Sequence, residues 1–447
     1  MIGMKYESIK TVVLVILVLS SIILTWSLWT YQPQYKDLVG TDDLVEDVTT
    51  NNPKETSKII KPIKILYHID GQHFGTYNET ELNKVMKEIR PWEVNEVQNI
   101  THEVQNQGLA NFLGKNGHVV IYFPDSLPLQ IYKSFLHIND KDHSLITFDR
   151  LVLDVNTHDQ GEGRVYFLST SENLVYEGQV DSGYISEFKR KFYSTAARYP
   201  EQIEYVLTES NALYLPKNQE VVNRFDYFIV NEIEIDTFIE RLFTNPSRVK
   251  RDELTTGEVH TDGTRLLRTY NHQKYIEFTN PTRISEDQVA TTDLIQTSID
   301  FVNEHVGWTD DYHFFSWNKE SQTTVFKLYV DNIPVFSRRG LVDITQEWKN
   351  NDIAKYFHPS ISLSFTWDPI ETTLPNGESV MESITNTPNF NPELLEYVMV
   401  AYELRENDDN SQFVSLQPVW TYKYNGSWST VEMLEDEEMG GENNGLE

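Results

Sequence analysis

The apolar positions of this chain open on a run without alternation. Residues 11–29 are apolar apart from scattered Ser and Thr, and no acidic or basic side chain occurs between Lys10 and Lys36. At a helical rise of about 1.5 Å per residue this run reaches about 28 Å, close to the hydrocarbon thickness of a bilayer, which predicts one membrane-spanning helix over 11–30. Beyond residue 62 the pattern changes character. In "IKILYHID" the residues Ile63, Ile65, Tyr67 and Ile69 alternate, as a half-buried strand requires. Asn78 and Glu81 then form a capping pair for a helix whose Leu82, Val85, Met86 and Ile89 share one face before Pro91. The segments "HVVIYFP", "LITFDRLVLDV", "GRVYFLST" and "NLVYEGQV" read as strands, and "YISEFKRKFYSTAARY" as a helix burying Ile185, Phe188 and Phe192.

After Pro216 the order restarts with strand "RFDYFIVNEIEI", helix "DTFIERLFTN" and the hairpin "TRLLRTYNHQKYIEFTNP", turning near Asn271 and His272. A long helix, "QVATTDLIQTSIDFVNEHVGW", precedes a strand-rich end containing "TTVFKLYVDNIPVF", "HPSISLSFTWDPIETTL" and "LQPVWTYKYNGSW". Helices set against antiparallel strands predict an α+β class, with mixed α/β domains in series. The expected division is a cytoplasmic stub (1–10), the membrane helix (11–30), a polar stalk (31–62), a first outer domain (63–217), a second (218–284), a third (285–434) and a disordered acidic tail (435–447).

Flanking charge sets the expected orientation. Lys5 and Lys10 precede the apolar run and Asp37, Asp42, Asp43, Glu46 and Asp47 follow it, so the N-terminus should face the cytoplasm and the bulk should be extracytoplasmic. Trp26, Trp29, Tyr31 and Tyr35 then serve as interfacial anchors at the outer headgroups. No small-residue cleavage site follows the run, since the first alanine is Ala110, and we expect the helix to be retained. Without cysteine there is no thiol to acylate and no disulfide to staple the exterior. The net charge is −31, and Lys5 and Lys10 against Glu7 leave −32 for the rest, a field that disfavours nucleic acid as a partner.

Candidate chemistry is sparse. Ser-x-x-Lys occurs at Ser186/Lys189, Ser247/Lys250 and Ser316/Lys319, but the Lys-Thr-Gly and Ser-Asp-Asn elements of a serine acyltransferase are missing, and helix-surface Ser and Lys is the plainer reading. His68, Asp70 and His73 could converge on a metal across a glycine turn, yet no His-Glu-x-x-His or second ligand cluster accompanies them, and a strand end with a turn accounts for them. Acid pairs such as Asp310 and Asp311 say nothing about glycoside hydrolysis without geometry. We therefore assign no catalytic residue, no metal and no cofactor. The membrane helix holds a more specific pattern. Leu14, Val18, Ser21, Thr25 and Leu28 fall along one seam with Ser21 and Thr25 as a small-xxx-small pair, suited to close approach and interhelical hydrogen bonds, although Ser and Thr are also tolerated in any spanning helix.

The opening "MKYESIKTVVLVILVLSSIILTWSLWTYQPQY", together with "DNIPVF", "ETTLPNGESVMESI" and "SLQPVWTYKYNG", resembles the YycH (WalH) family over essentially the whole chain apart from the tail. The resemblance rests on layout and on the membrane-exit segment, not on a catalytic motif. It implies a non-enzymatic accessory regulator of the WalK/WalR (YycG/YycF) two-component system of Gram-positive bacteria, which governs cell-wall metabolism. It further implies one membrane helix, three extracytoplasmic domains of which the latter two resemble YycI, and two partners, a YycI-like protein and the WalK/YycG-like sensor histidine kinase. Two alternatives stay open, a membrane-anchored exterior hydrolase and a ligand-binding module acting on cell-wall material.

Overall fold

The computed structural model describes residues 14, 17, 18, 21, 53–132, 136–138, 146–156, 162–270, 273–281, 293–337, 342–349, 352–406 and 413–431. The chain forms two compact units, residues 1–49 and 50–447. In the first, Leu14, Leu17, Val18 and Ser21 are helical. The stub, most of the apolar run and the tail lie outside the described residues, and among the described residues no helix is long and apolar enough to cross a membrane.

The second unit is mixed α/β and dominated by antiparallel sheet. Its first sheet starts with the hairpin Lys64–Ile69 and Gln72–Thr76, in register Ile69↔Gln72. The two-residue turn works because Asp70 and Gly71 both adopt positive φ, 49° and 78°, a twist that suits Asp-Gly. Strand Lys64–Ile69 was expected to be buried on one face, but Ile65, Leu66, Tyr67 and His68 are all buried. The strand lies inside a ten-stranded sheet covered on both sides, so alternation loses its meaning. Ile65 and Tyr67 share a core with Leu82, Val85, Ile89 and Trp92, whereas Leu66 packs with Leu109, Phe112 and Leu113. Helix Glu79–Ile89 begins as predicted, with the Asn78 side chain accepting from the Glu81 N–H.

The second sheet runs from Lys250–Leu254 at one edge to Ile361–Thr366 at the other and is antiparallel except where Ile333–Phe336 runs parallel to Leu395–Glu406. Strand Glu220–Glu232 is held between Phe413–Tyr424 and Ile361–Thr366, and its first residues pair with Ile370–Leu374. Helix Leu294–Glu304 is shorter than the predicted long helix, whose start lies partly outside the described residues. A buried polar network fixes it to the sheet. Trp348 Nε1 donates to Ser298 Oγ (2.9 Å), Ser298 Oγ lies 3.1 Å from Thr324 Oγ1, and Gln346 Nε2 donates to the Ser298 carbonyl (3.1 Å).

Helix Gly377–Thr385 was not anticipated from the sequence. Asn376 caps it, its side chain accepting from the Ser379 N–H, and Val380, Met381 and Ile384 are buried. Its first residue sits against the first sheet so tightly that a Cβ on Gly377 would lie 2.4 Å from the Leu215 Cβ. Gly377→Val is accordingly expected to lower stability by about 1–3 kcal/mol through overpacking of this junction, measured by urea unfolding.

Candidate functional site

Residues 53–62 fall within the span expected to be a stalk, and they fold onto helix Leu294–Glu304 and strand Tyr312–Asn318 of the second sheet. Glu55 leads into the short helix Thr56–Ile59, and Ile59 and Ile60 are buried in the core. The backbone of Lys54 is held from both sides by one side chain: its N–H donates to Asn303 Oδ1 (2.9 Å) and its carbonyl accepts from Asn303 Nδ2 (3.0 Å). Trp308 Nε1 donates to the same Oδ1 (2.7 Å), which fixes the amide's orientation. Thr56 Oγ1 donates to Gln296 Oε1 about two turns earlier on the same helix (2.9 Å). The segment preceding the first sheet is thereby tied to a helix some 240 residues away in sequence.

Charges complete this grip. Lys54 Nζ donates to the Asp310 carbonyl (2.8 Å) and lies 3.6 Å from Asp311 Oδ1; Lys61 Nζ lies 2.8 Å from Glu79 Oε1 and 3.7 Å from Asp311 Oδ2. His313 Nε2 is 3.0 Å from Asp311 Oδ2. Burial alone would raise the Asp311 carboxyl, but His313 and the ammoniums of Lys61 and Lys54 outweigh it and hold it well below the carboxylate range. Its neighbour behaves oppositely. Burial pushes the Asp310 carboxyl up to about 7, against one hydrogen bond from the Leu363 N–H (3.1 Å) and the nearby Lys54 charge. Burial also lowers Lys54 and His313. Two adjacent carboxyls are thus shifted in opposite directions, Asp311 by the cations it faces and Asp310 by burial.

The acid pair that carried no meaning as sequence is therefore the centre of the site. Lys54, Asn303 and His313 had no local signal at all, since each acts only through a partner distant along the chain. The seam residues Leu14, Val18 and Ser21 are described, helical and exposed. Thr25, Leu28, Trp26, Trp29, Tyr31 and Tyr35 lie outside the described residues.

The metal candidates separate. His68 and His73 meet Nδ1 to Nδ1 at 2.7 Å, so one ring nitrogen donates to the other, while Asp70 turns to Asn116, its N–H donating to Asn116 Oδ1 (2.8 Å). Among the described residues no three His, Asp or Glu side chains are grouped to hold a metal ion. Of the Ser-x-x-Lys matches, Ser186/Lys189 lies on helix Ser182–Lys191; Ser247 is in a 3-10 turn and Ser316 in strand Tyr312–Asn318, so the helix-surface reading holds for the first alone.

A two-sheet body with residues 54–61 clamped in place can be compared with known proteins. Residues 7–197 match the model of the YycH protein N-terminal domain and residues 210–438 that of the YycH protein C-terminal domain. The chain belongs to the YycH family. It is 26% identical over 463 residues to the two-component system WalR/WalK regulatory protein YycH of Bacillus subtilis (strain 168), covering 99% of this chain and all of that one. The crystal structure of YycH from Bacillus subtilis superposes with a TM-score of 0.71 at 22% identity, over 86% of this chain and 98% of the other, so the YycH fold is shared.

Proposed function

We propose that this chain is a non-enzymatic, membrane-anchored regulator of a WalR/WalK-type two-component system. Together with a YycI-like protein it biases the sensor histidine kinase between states, its N-terminus cytoplasmic and its bulk extracytoplasmic. The observation that carries this reading is the clamp on residues 54–61. A partner shifts an equilibrium only through unequal contact with its two states, and a body that holds the chain where it leaves the expected stalk presents one fixed surface for such contact. Kinship with a protein whose name states regulation of WalR/WalK supports the choice of system.

The membrane contact is assigned to the seam Leu14, Val18, Ser21, Thr25 and Leu28. Replacing Ser21 and Thr25 together with Leu should reduce co-purification with the kinase or the YycI-like protein at least fivefold, while the protein still inserts into the membrane. Undiminished co-purification of the double variant would remove the seam from the reading.

A further inference from the structure

Where the two sheets face each other they leave a hollow of about 530 Å³, within the size range of small-molecule sites. Cross-sheet bonds fix its walls in advance. Asp125 Oδ2 accepts from the Trp317 N–H (3.1 Å), Trp317 Nε1 donates to the Ser126 carbonyl (2.7 Å), and Asn211 Nδ2 donates to the Leu395 carbonyl (2.9 Å). One wall carries Arg150, buried, its guanidinium 4.3 Å from the Tyr122 ring centre and 5.6 Å from that of Tyr397. Its Nη1 bonds the carbonyls of Asp149 and Phe123 and pairs with Asp149 Oδ2 (2.8 Å). Among the described residues no acceptor takes the N–H groups of its Nε or Nη2, so a guanidinium fixed by one corner keeps donors to offer.

Beside Arg150 the lining is aromatic. Trp428 is braced by Phe315 and Phe336 at 5.7 and 5.6 Å and by Tyr397 at 6.4 Å, and it also lines a second hollow of about 590 Å³. Short hydroxyls, those of Ser126, Ser171 and Ser210, stand on the rim. Four carboxylates, Asp125, Asp149, Glu393 and Glu396, outnumber Arg150 and Lys423, so the cleft repels anions. Such a site suits an uncharged, elongated, oxygen-rich ligand with flat apolar faces.

We propose that this cleft binds a neutral oligosaccharide, a sugar ring lying on Trp428 and Tyr397 with a ligand oxygen accepting from Arg150. The proposal stands independently of the regulatory reading. The test is calorimetric titration of the full chain in lipid nanodiscs with the N-acetylglucosamine tetrasaccharide and, separately, with tetra-alanine. Saturable binding of the sugar is expected, weakened at least tenfold by Trp428→Ala and by Ser171→Trp. The second variant fills the cleft from an exposed position and should leave the melting temperature unchanged. No saturable sugar binding, undiminished binding by Ser171→Trp, or tetra-alanine bound as tightly as the sugar would each overturn the proposal.

Discussion

Asp310→Asn is expected to stabilise the second compact unit at pH 8 and to leave it nearly unchanged at pH 4.5. The carboxyl is pushed up to about 7 by burial, whereas in the unfolded chain it titrates near about 4. A group whose folded value is raised keeps its proton in the folded state through this window, so the folded state is favoured at low pH and loses that advantage as pH rises from about 4 through about 7. Ionised Asp310 at pH 8 then costs on the order of 4 kcal/mol as an upper limit, a cost that Asn removes while its Oδ1 can still accept from the Leu363 N–H. Urea unfolding of both proteins at the two pH values reads the effect, including the response of Asp311 and Lys54, which are coupled to Asp310. Equal stabilities at pH 8 would show that Asp310 is not held neutral by its surroundings.

The second large effect is expected at Asn303. Truncation to Ala removes the two bonds to the Lys54 backbone and the acceptor of Trp308 Nε1, three bonds at about 1 kcal/mol each. The helix that carries it should persist, since the Ser298, Gln346 and Trp348 network is untouched. Loss should therefore appear as local opening. Amide exchange at Lys54 should accelerate on the order of a hundredfold, the kinetic face of about 3 kcal/mol, while the amides of strand Asp343–Lys349 keep their protection. In cells the same variant should still associate with its partners through the membrane but alter kinase output less than the parent does. Wild-type exchange at Lys54 would mean that the segment is held by its ion pairs and the burial of Ile59 and Ile60 instead.

Sequence was most legible where structure is local. The Asp70-Gly71 turn, the Asn78 cap and the buried stripe Leu82, Val85 and Ile89 each follow from residues within a few positions of one another. Strand Lys64–Ile69 was misjudged for the opposite reason: Leu66 and His68 are covered by elements far along the chain, and a period-two pattern cannot report a second covered face. Helix Gly377–Thr385 had a readable cap at Asn376 and apolar Val380, Met381 and Ile384, a signal present but short. The grip was not readable, because Lys54, Asn303 and Asp311 gain meaning only when folding brings them together. The expected seam rests on spacing alone: Leu14, Val18 and Ser21 are helical, and Thr25 and Leu28 lie outside the described residues.

The threading of strand Glu220–Glu232 has a consequence for how the molecule is made. Its neighbours are residues 361–366 on one flank and 413–416 on the other, with 370–374 beside its start. A nascent polypeptide emerges N-terminus first, so this strand waits with both hydrogen-bonding edges bare until residues 361–374 are made and with one edge bare until residue 413, while the first sheet, closed within residues 64–216, can already assemble. Truncation anywhere before residue 413 strands a sticky ribbon, and the late half of the protein is where quality-control proteases and aggregation would act first.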